Sequence, residues 1–145
     1  MKQTAAAAQR AQLSPAIMAC IRRALAEDIG PGDATTDSII PADALSSGRI
    51  IAKQQGVVAG LDVAAAVFRT VDRRVTVTPL AAEGDRVDKR QTLATVSGPV
   101  RALLTAERTA LNFLGRMSGI ATLTRALVDA VAGTHAVILD TRKTA

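Results

Sequence analysis

The chain has almost no aromatic side chains: Phe68 and Phe113 are the only two in 145 residues, and Trp and Tyr are absent. Its core therefore has to be assembled from Ala, Val, Leu and Ile. Stacking platforms of the kind that grip single-stranded nucleic acid are missing as well. Cysteine is as scarce. Cys20 alone excludes an internal disulfide and any multi-cysteine zinc site, and its helical spacing from Ile17, Ile21 and Ala24 predicts a small buried thiol. Long apolar runs are also lacking. Ala5 to Ala8 is interrupted at once by Gln9, Arg10 and Gln12, too short for a signal peptide and far below membrane-spanning length. A cytoplasmic protein with no membrane partner is expected. The single histidine, His135, completes no Ser-His-Asp or Cys-His constellation and reads as structural or solvent-facing. No glycine-rich phosphate loop precedes a helix.

What remains is an ordinary globular composition, 48% hydrophobic and 21% charged, with a formal net charge of +5. The length suits one compact domain and is too short for two large ones. The basic residues are scattered apart from pairs such as Arg22-Arg23 and Arg73-Arg74. Scattered cations without stacking aromatics argue against nucleic acid and leave small anionic substrates as the better use of the charge.

Along the chain, residues 1–13 read as a frayed Ala-rich tail. Ser14-Pro15 then forms a cap and first helical position, and Gly30-Pro31 stops that helix. Residues 30–37 form a turn-rich connector in which Asp33, Thr35 and Thr36 are turn and capping residues. Arg49 to Ala59 suggests two short strands about a tight turn at Gln55-Gly56. Asp62 is placed to cap a helix carrying Val63, Val67, Phe68 and Val71. Val75 and Val77 alternate with polar residues at strand period, Glu83-Gly84-Asp85 makes a turn, and Gln91 to Ser97 makes another strand. From Val100 to Val131 the pattern is helical, with a break expected at Ser118-Gly119. Ala136 to Leu139 is a continuous apolar run, as in a strand buried on both faces. The order of elements is α+β, with a parallel α/β unit just starting.

Two places carry chemistry. The apolar run ends abruptly in Asp140-Thr141-Arg142-Lys143-Thr144, and parallel barrels place catalytic groups at strand carboxyl ends. Arg142 suits bidentate binding of a carboxylate or phosphate, and Lys143 is a compact mobile charge. The same five residues would equally serve as a solvated strand end. The second place is Glu107-Arg108. At ~100° per residue, Leu103, Leu104, Ala110, Leu111 and Leu114 form one stripe with Glu107 near its middle and Arg108 at its edge. A carboxylate there needs a partner, so a buried ion pair orienting the helix is one reading and a functional contact the other.

Three motifs, in this order, resemble quinolinate phosphoribosyltransferases. They are Ala24 to Thr36 (ALAEDIGPGDATT), Thr105 to Leu114 with Ser118 to Thr122 (TAERTALNFL and SGIAT), and Leu139 to Thr144 (LDTRKT). The resemblance implies an N-terminal α/β sandwich domain over residues 1–111. Residues 112–145 would then be the first helix and strand of an α/β barrel, truncated here. It implies condensation of quinolinate with phosphoribosyl pyrophosphate to give nicotinate mononucleotide, pyrophosphate and carbon dioxide, a step of NAD biosynthesis. It also implies a homodimer with shared active sites and magnesium bound with phosphoribosyl pyrophosphate through ligands outside this chain. Carried over residue by residue, Arg108 matches the arginine that reaches the quinolinate carboxylates in the partner subunit's site. Thr141, Arg142 and Lys143 match substrate-binding positions, with Lys143 also catalytic. No metal ligand is assigned. The family's downstream His-Arg pair, acidic metal contacts and phosphate loop find no counterpart in 145 residues, so the fragment alone is expected to be inactive. Ala145 and Gly115 depart from the family pattern.

Two other readings compete. A related molybdenum-transport-associated family shares the resemblance, and the intact Asp-Thr-Arg-Lys-Thr run favours the quinolinate enzymes. Ala82 to Val87 with Gln91 to Ala94 looks like the hairpin of a biotinyl or lipoyl carrier, but neither Lys89 nor Lys53 sits where a carrier lysine must.

Overall fold

The computed structural model describes residues 13–141, so the Ala-rich tail up to Gln12 and the cations Arg142 and Lys143 lie outside the described residues. Helix α1 (Pro15–Ile29) starts as expected, with the Ser14 hydroxyl accepting the Ile17 N–H and Gly30 closing the far end at φ 54°. Its buried residues are Ile21 and Leu25, with Met18 and Ile29 packed beside them. Cys20 is exposed, contrary to the expected buried thiol. The apolar stripe runs Met18–Ile21–Leu25–Ile29, and Cys20 stands ~100° round the helix from Ile21.

The turn-rich connector closes into a short helix, α2 (Ala34–Ile39), with the Asp33 carboxylate accepting the Thr36 N–H as its cap. Strands β1 (Leu45–Ile51) and β2 (Gly56–Val57) follow, then α3 (Leu61–Val71), β3 (Thr76–Pro79), β4 (Arg86–Val87), β5 (Thr92–Pro99) and α4 (Val100–Ala130). Strand β5 is the centre of an antiparallel sheet ordered β1-β5-β3, while β2 and β4 pair separately. The expected two strands about Gln55-Gly56 exist but do not pair with each other. Each finds a partner far along the chain, because β5 offers β1 the longer ladder.

Helices α1, α3 and the first half of α4 pack together, with α3 and α4 also joined to the sheet. The core is aliphatic, as the scarcity of aromatics requires. Ile21 and Val67 are fully buried beside Val58, Phe68 and Ala94, each larger side chain contributing roughly 1.5–3 kcal/mol. The face of α4 that enters this core is Ala102, Ala106, Thr109, Ala110 and Leu114. Small side chains allow close helix approach, and they turn the larger Leu104 and Leu111 outward, where they remain 44% and 40% exposed. Glu107 goes out with them, so the expected burial of its carboxylate does not occur. Of the expected stripe, Ala110 and Leu114 do enter the core and Leu103 packs against it, but Ala102 and Ala106 take the places expected for Leu104 and Leu111.

Helix α4 runs unbroken through Ser118 and Gly119, against the expected break. The serine hydroxyl is used sideways instead, as described below. Between Gly133 and Thr141 no strand forms. Val137 and Leu139 are 74% and 78% exposed, and the apolar run has no ladder partner among the described strands, all of which lie between Leu45 and Pro99. His135 is exposed.

Candidate functional site

The last turn of α1 crosses the first half of α4, and one carboxylate joins them. Asp28 Oδ2 accepts the hydroxyl of Thr109 at 3.2 Å. Asp28 Oδ1 lies 3.5 Å from the Arg108 guanidinium. Thr109 is buried at 4% exposure, and the Asp28 side chain is 24% exposed, while that of Arg108 is 79% exposed and projects outward. Beside this contact is a groove of about 390 Å³ whose walls include Glu27, Asp28, Asn112, Phe113 and Arg116. Arg108, Asn112 and Arg116 recur at four-residue spacing, so they lie along one side of α4. A rigid helix thus presents two cations and an amide next to an apolar ring and two carboxylates. Arg116 lines the groove with the two carboxylates, and Arg108 stands just outside its walls, where its guanidinium can meet an anionic group.

Of the two described residues predicted from the sequence to bind substrate, Arg108 stands beside this groove through its contact with Asp28. Thr141 is exposed on the segment after the other end of α4. The helix from Arg108 to Ala130 is about 33 Å long at the standard rise. Asp28, Thr109, Asn112 and Arg116 had no role assigned from the sequence. The four-residue spacing of the α4 positions was visible there, but the partnership of Asp28 with Thr109 spans 81 residues and has no local signal.

The second half of α4 has a different task. Ser118 Oγ accepts the Ala59 N–H at 3.1 Å and donates to the Ala59 carbonyl at 3.2 Å. Thr122 Oγ1 accepts the Val57 N–H at 2.9 Å. Two turns further on, Asp129 takes hydrogen bonds from Arg125 and Arg86, which hold its carboxyl below the usual carboxylate range, Arg125 having the larger effect. These contacts pin β2 and β4 to the helix. The turn at Ala82 to Asp85 is likewise structural: Glu83 accepts the backbone N–H groups of Gly60 and Leu61 and so caps α3 from a distance, a role predicted for Asp62. The position of Asp62 one residue inside the helix start, after Leu61, explains the difference.

Among the described residues no three His, Cys, Asp or Glu side chains come together as a metal site, and no helix is long and apolar enough to cross a membrane.

Comparison with known proteins identifies the family. Residues 33–118 match the family described as quinolinate phosphoribosyl transferase, N-terminal domain. A nicotinate-nucleotide pyrophosphorylase (carboxylating) of Mycobacterium leprae is 48% identical over 127 residues, 86% of this chain and 45% of that protein. A quinolinate phosphoribosyltransferase (decarboxylating) of Nicotiana tabacum is 44% identical over 86% of this chain and 35% of its own. The crystal structure of NadC from Streptococcus pyogenes superposes with a TM-score of 0.88 at 38% identity, covering 92% of this chain and 48% of that one. The nicotinate-nucleotide pyrophosphorylase from Francisella tularensis gives 0.77 at 32% identity, over 84% of this chain and 44% of that one. The chain spans less than half the length of these relatives. With the family's domain matched over more than half of its residues and the fold shared at these identities, the chain belongs to the quinolinate phosphoribosyltransferase family and carries that family's N-terminal domain.

Proposed function

We propose that this chain serves a quinolinate phosphoribosyltransferase (decarboxylating), a pentosyltransferase of NAD biosynthesis. Quinolinate and phosphoribosyl pyrophosphate are converted to nicotinate mononucleotide, pyrophosphate and carbon dioxide. The observation that carries the reading is Arg108: a cation on a rigid helix, 79% exposed and loosely paired, within the stretch that matches the family's domain. Quinolinate has two adjacent carboxylates, and a planar guanidinium offers paired N–H donors for one of them. Arg108 binds and orients the pyridine, while Arg142 and Lys143 hold further negative charge, with Thr141 beside them and Lys143 as the catalytic cation. Loss of pyrophosphate develops charge that fixed cations stabilise. Magnesium would neutralise the pyrophosphate of the second substrate, and no described residue is assigned to it.

The reading includes a homodimer in which Arg108 serves the partner's site, which the length of helix between Arg108 and the Asp140–Thr144 run supports. It places the domain boundary at residues 111 and 112, the protein in the cytoplasm, and its partners among small molecules rather than nucleic acid or membrane.

The test is an assay of the full-length gene product with quinolinate and phosphoribosyl pyrophosphate, following nicotinate mononucleotide. Product should form, and Arg108→Ala should raise the KM for quinolinate roughly 10- to 150-fold, the range for a hydrogen bond to a charged group. Absence of product from a folded, full-length protein would overturn the reading.

A further inference from the structure

Arg108 poses a physical problem. A long side chain that is 79% exposed samples many rotamers, and that freedom must be surrendered each time it grips a ligand. A useful binding arginine therefore needs something to hold it near its working direction without occupying its donors. The crossing of α1 and α4 has the parts for this. Asp28 comes from the final turn of α1, so its backbone is independent of the helix that carries Arg108. Its two oxygens are divided: Oδ2 is taken by Thr109, and Oδ1 is left facing Arg108.

Thr109 differs from three other helical threonines. Thr70, Thr122 and Thr124 each donate back to the carbonyl four residues earlier, at 2.7, 2.7 and 2.8 Å, the common local bond. The buried Thr109 hydroxyl instead reaches across to Asp28. It thereby locks the carboxylate one residue along from the arginine it faces. The Arg108 contact itself, at 3.5 Å, is longer than a hydrogen bond. It orients the guanidinium electrostatically and leaves the N–H donors free for another acceptor.

We propose that Asp28, held by the hydroxyl of Thr109, is a positioning residue that orients Arg108 for binding a substrate carboxylate; this rests on the role given to Arg108 above. The Asp28–Thr109 pair acts on substrate binding by directing the guanidinium. Its effect passes through Arg108 alone.

The test is a double-mutant cycle in the full-length gene product, reading KM for each substrate and kcat separately. Asp28→Asn keeps an acceptor for Thr109 and removes the charge facing Arg108. It should raise the quinolinate KM about three- to tenfold, with kcat and the KM for phosphoribosyl pyrophosphate nearly unchanged, a split that general loss of folding would not produce. Thr109→Val should act in the same direction, and Thr109→Ser, which keeps the hydroxyl, should restore the parent value. Added to Arg108→Ala, Asp28→Asn should have no further effect. If Arg108→Ala impairs quinolinate binding while Asp28→Asn leaves it unchanged, tightens it, or adds its full effect to that of Arg108→Ala, the positioning role is overturned and the role of Arg108 stands. If Arg108→Ala itself leaves quinolinate binding unchanged, the role of Arg108 falls and the positioning role with it.

Discussion

The carboxylate of Glu83 lies 2.7 Å from the backbone nitrogen of Gly60, 23 residues earlier, and caps a helix to which it does not belong. Its second oxygen takes the Leu61 N–H, also at 2.7 Å. Gly60 stands at φ 95° with the Met117 side chain against it, so no side chain at the cap position could do this work locally. Glu83→Ala should therefore lower stability by about 0.5–2 kcal/mol, the range for losing a cap. Glu83→Gln should lose less, since an amide oxygen keeps one of the bonds. Denaturant unfolding midpoints would show this, and equal midpoints for parent and Glu83→Ala would contradict the cap.

A second junction is sterically exacting. A Cβ on Gly56 would stand 2.8 Å from Thr122 Oγ1, the atom that accepts the Val57 N–H. Gly56→Ala must push Thr122 away and break that bond, costing about 1–3 kcal/mol by overpacking. Thr122→Val should cost a similar amount by stranding the Val57 N–H. Because both variants remove the same bond, the double variant should cost less than their sum. Strict additivity in thermal or denaturant unfolding would show that the two residues act separately.

Glu107 offers a negative prediction. Its carboxylate is exposed on the outer side of α4, and surface substitutions of this kind usually stay within about 0.5 kcal/mol. Glu107→Ala should leave the melting temperature essentially unchanged. A loss well beyond that would mean that the outer side of α4 is covered in the assembled protein.

These cases show how much was legible in the residues. Helix α1 could be read with its cap and stop because Ser14, Pro15 and Gly30 act within a turn of themselves. The strands around Val77 and Leu93 followed from alternation. What could not be read depends on contacts distant in sequence: β1 finding β5 rather than β2, Glu83 capping α3, Thr109 reaching Asp28. The orientation of α4 was misread for a related reason. Hydrophobic size pointed to its leucines, but proximity to α3 favours alanine. At the candidate site, Arg108 was legible through its motif, whereas the acid facing it was not.

Asp129 supplies a pH-dependent test. Hydrogen bonds from Arg125 and then Arg86 lower its folded-state pKa below the ordinary value of 3.8. A carboxyl depressed in the folded state contributes stability that is present above its unfolded pKa and is lost as pH falls through the folded one. The junction of α4 with β4 should therefore hold from neutral pH to about pH 4 and loosen below it. An NMR titration should show the Asp129 carboxyl ionised below the midpoint of an unpaired aspartate, with Arg125→Gln moving it back upward. Because the pair is exposed, added salt should reduce the shift. A midpoint at the ordinary value in low salt would show that the arginines do not hold it.

The arrangement of Arg108 leads to the last prediction, which concerns whose site it serves. It projects into solvent from the first third of α4, and about 33 Å of helix separates it from the segment leading to Arg142. If it completes the partner subunit's site, each site in a dimer is built from Arg108 of one subunit and Arg142 of the other. Arg108→Ala and Arg142→Ala homodimers should both be weak, since every site then carries one lesion. Mixing them with subunit exchange gives heterodimers in which one site holds both lesions and the other holds neither. Activity should then rise toward half that of the parent per heterodimer. If Arg108 instead serves its own subunit, each site in the heterodimer still carries one lesion, and mixing restores nothing. The distinguishing measurement is activity before and after exchange, with heterodimer formation verified by differently tagged subunits. Verified heterodimers without recovery would rule out the shared site.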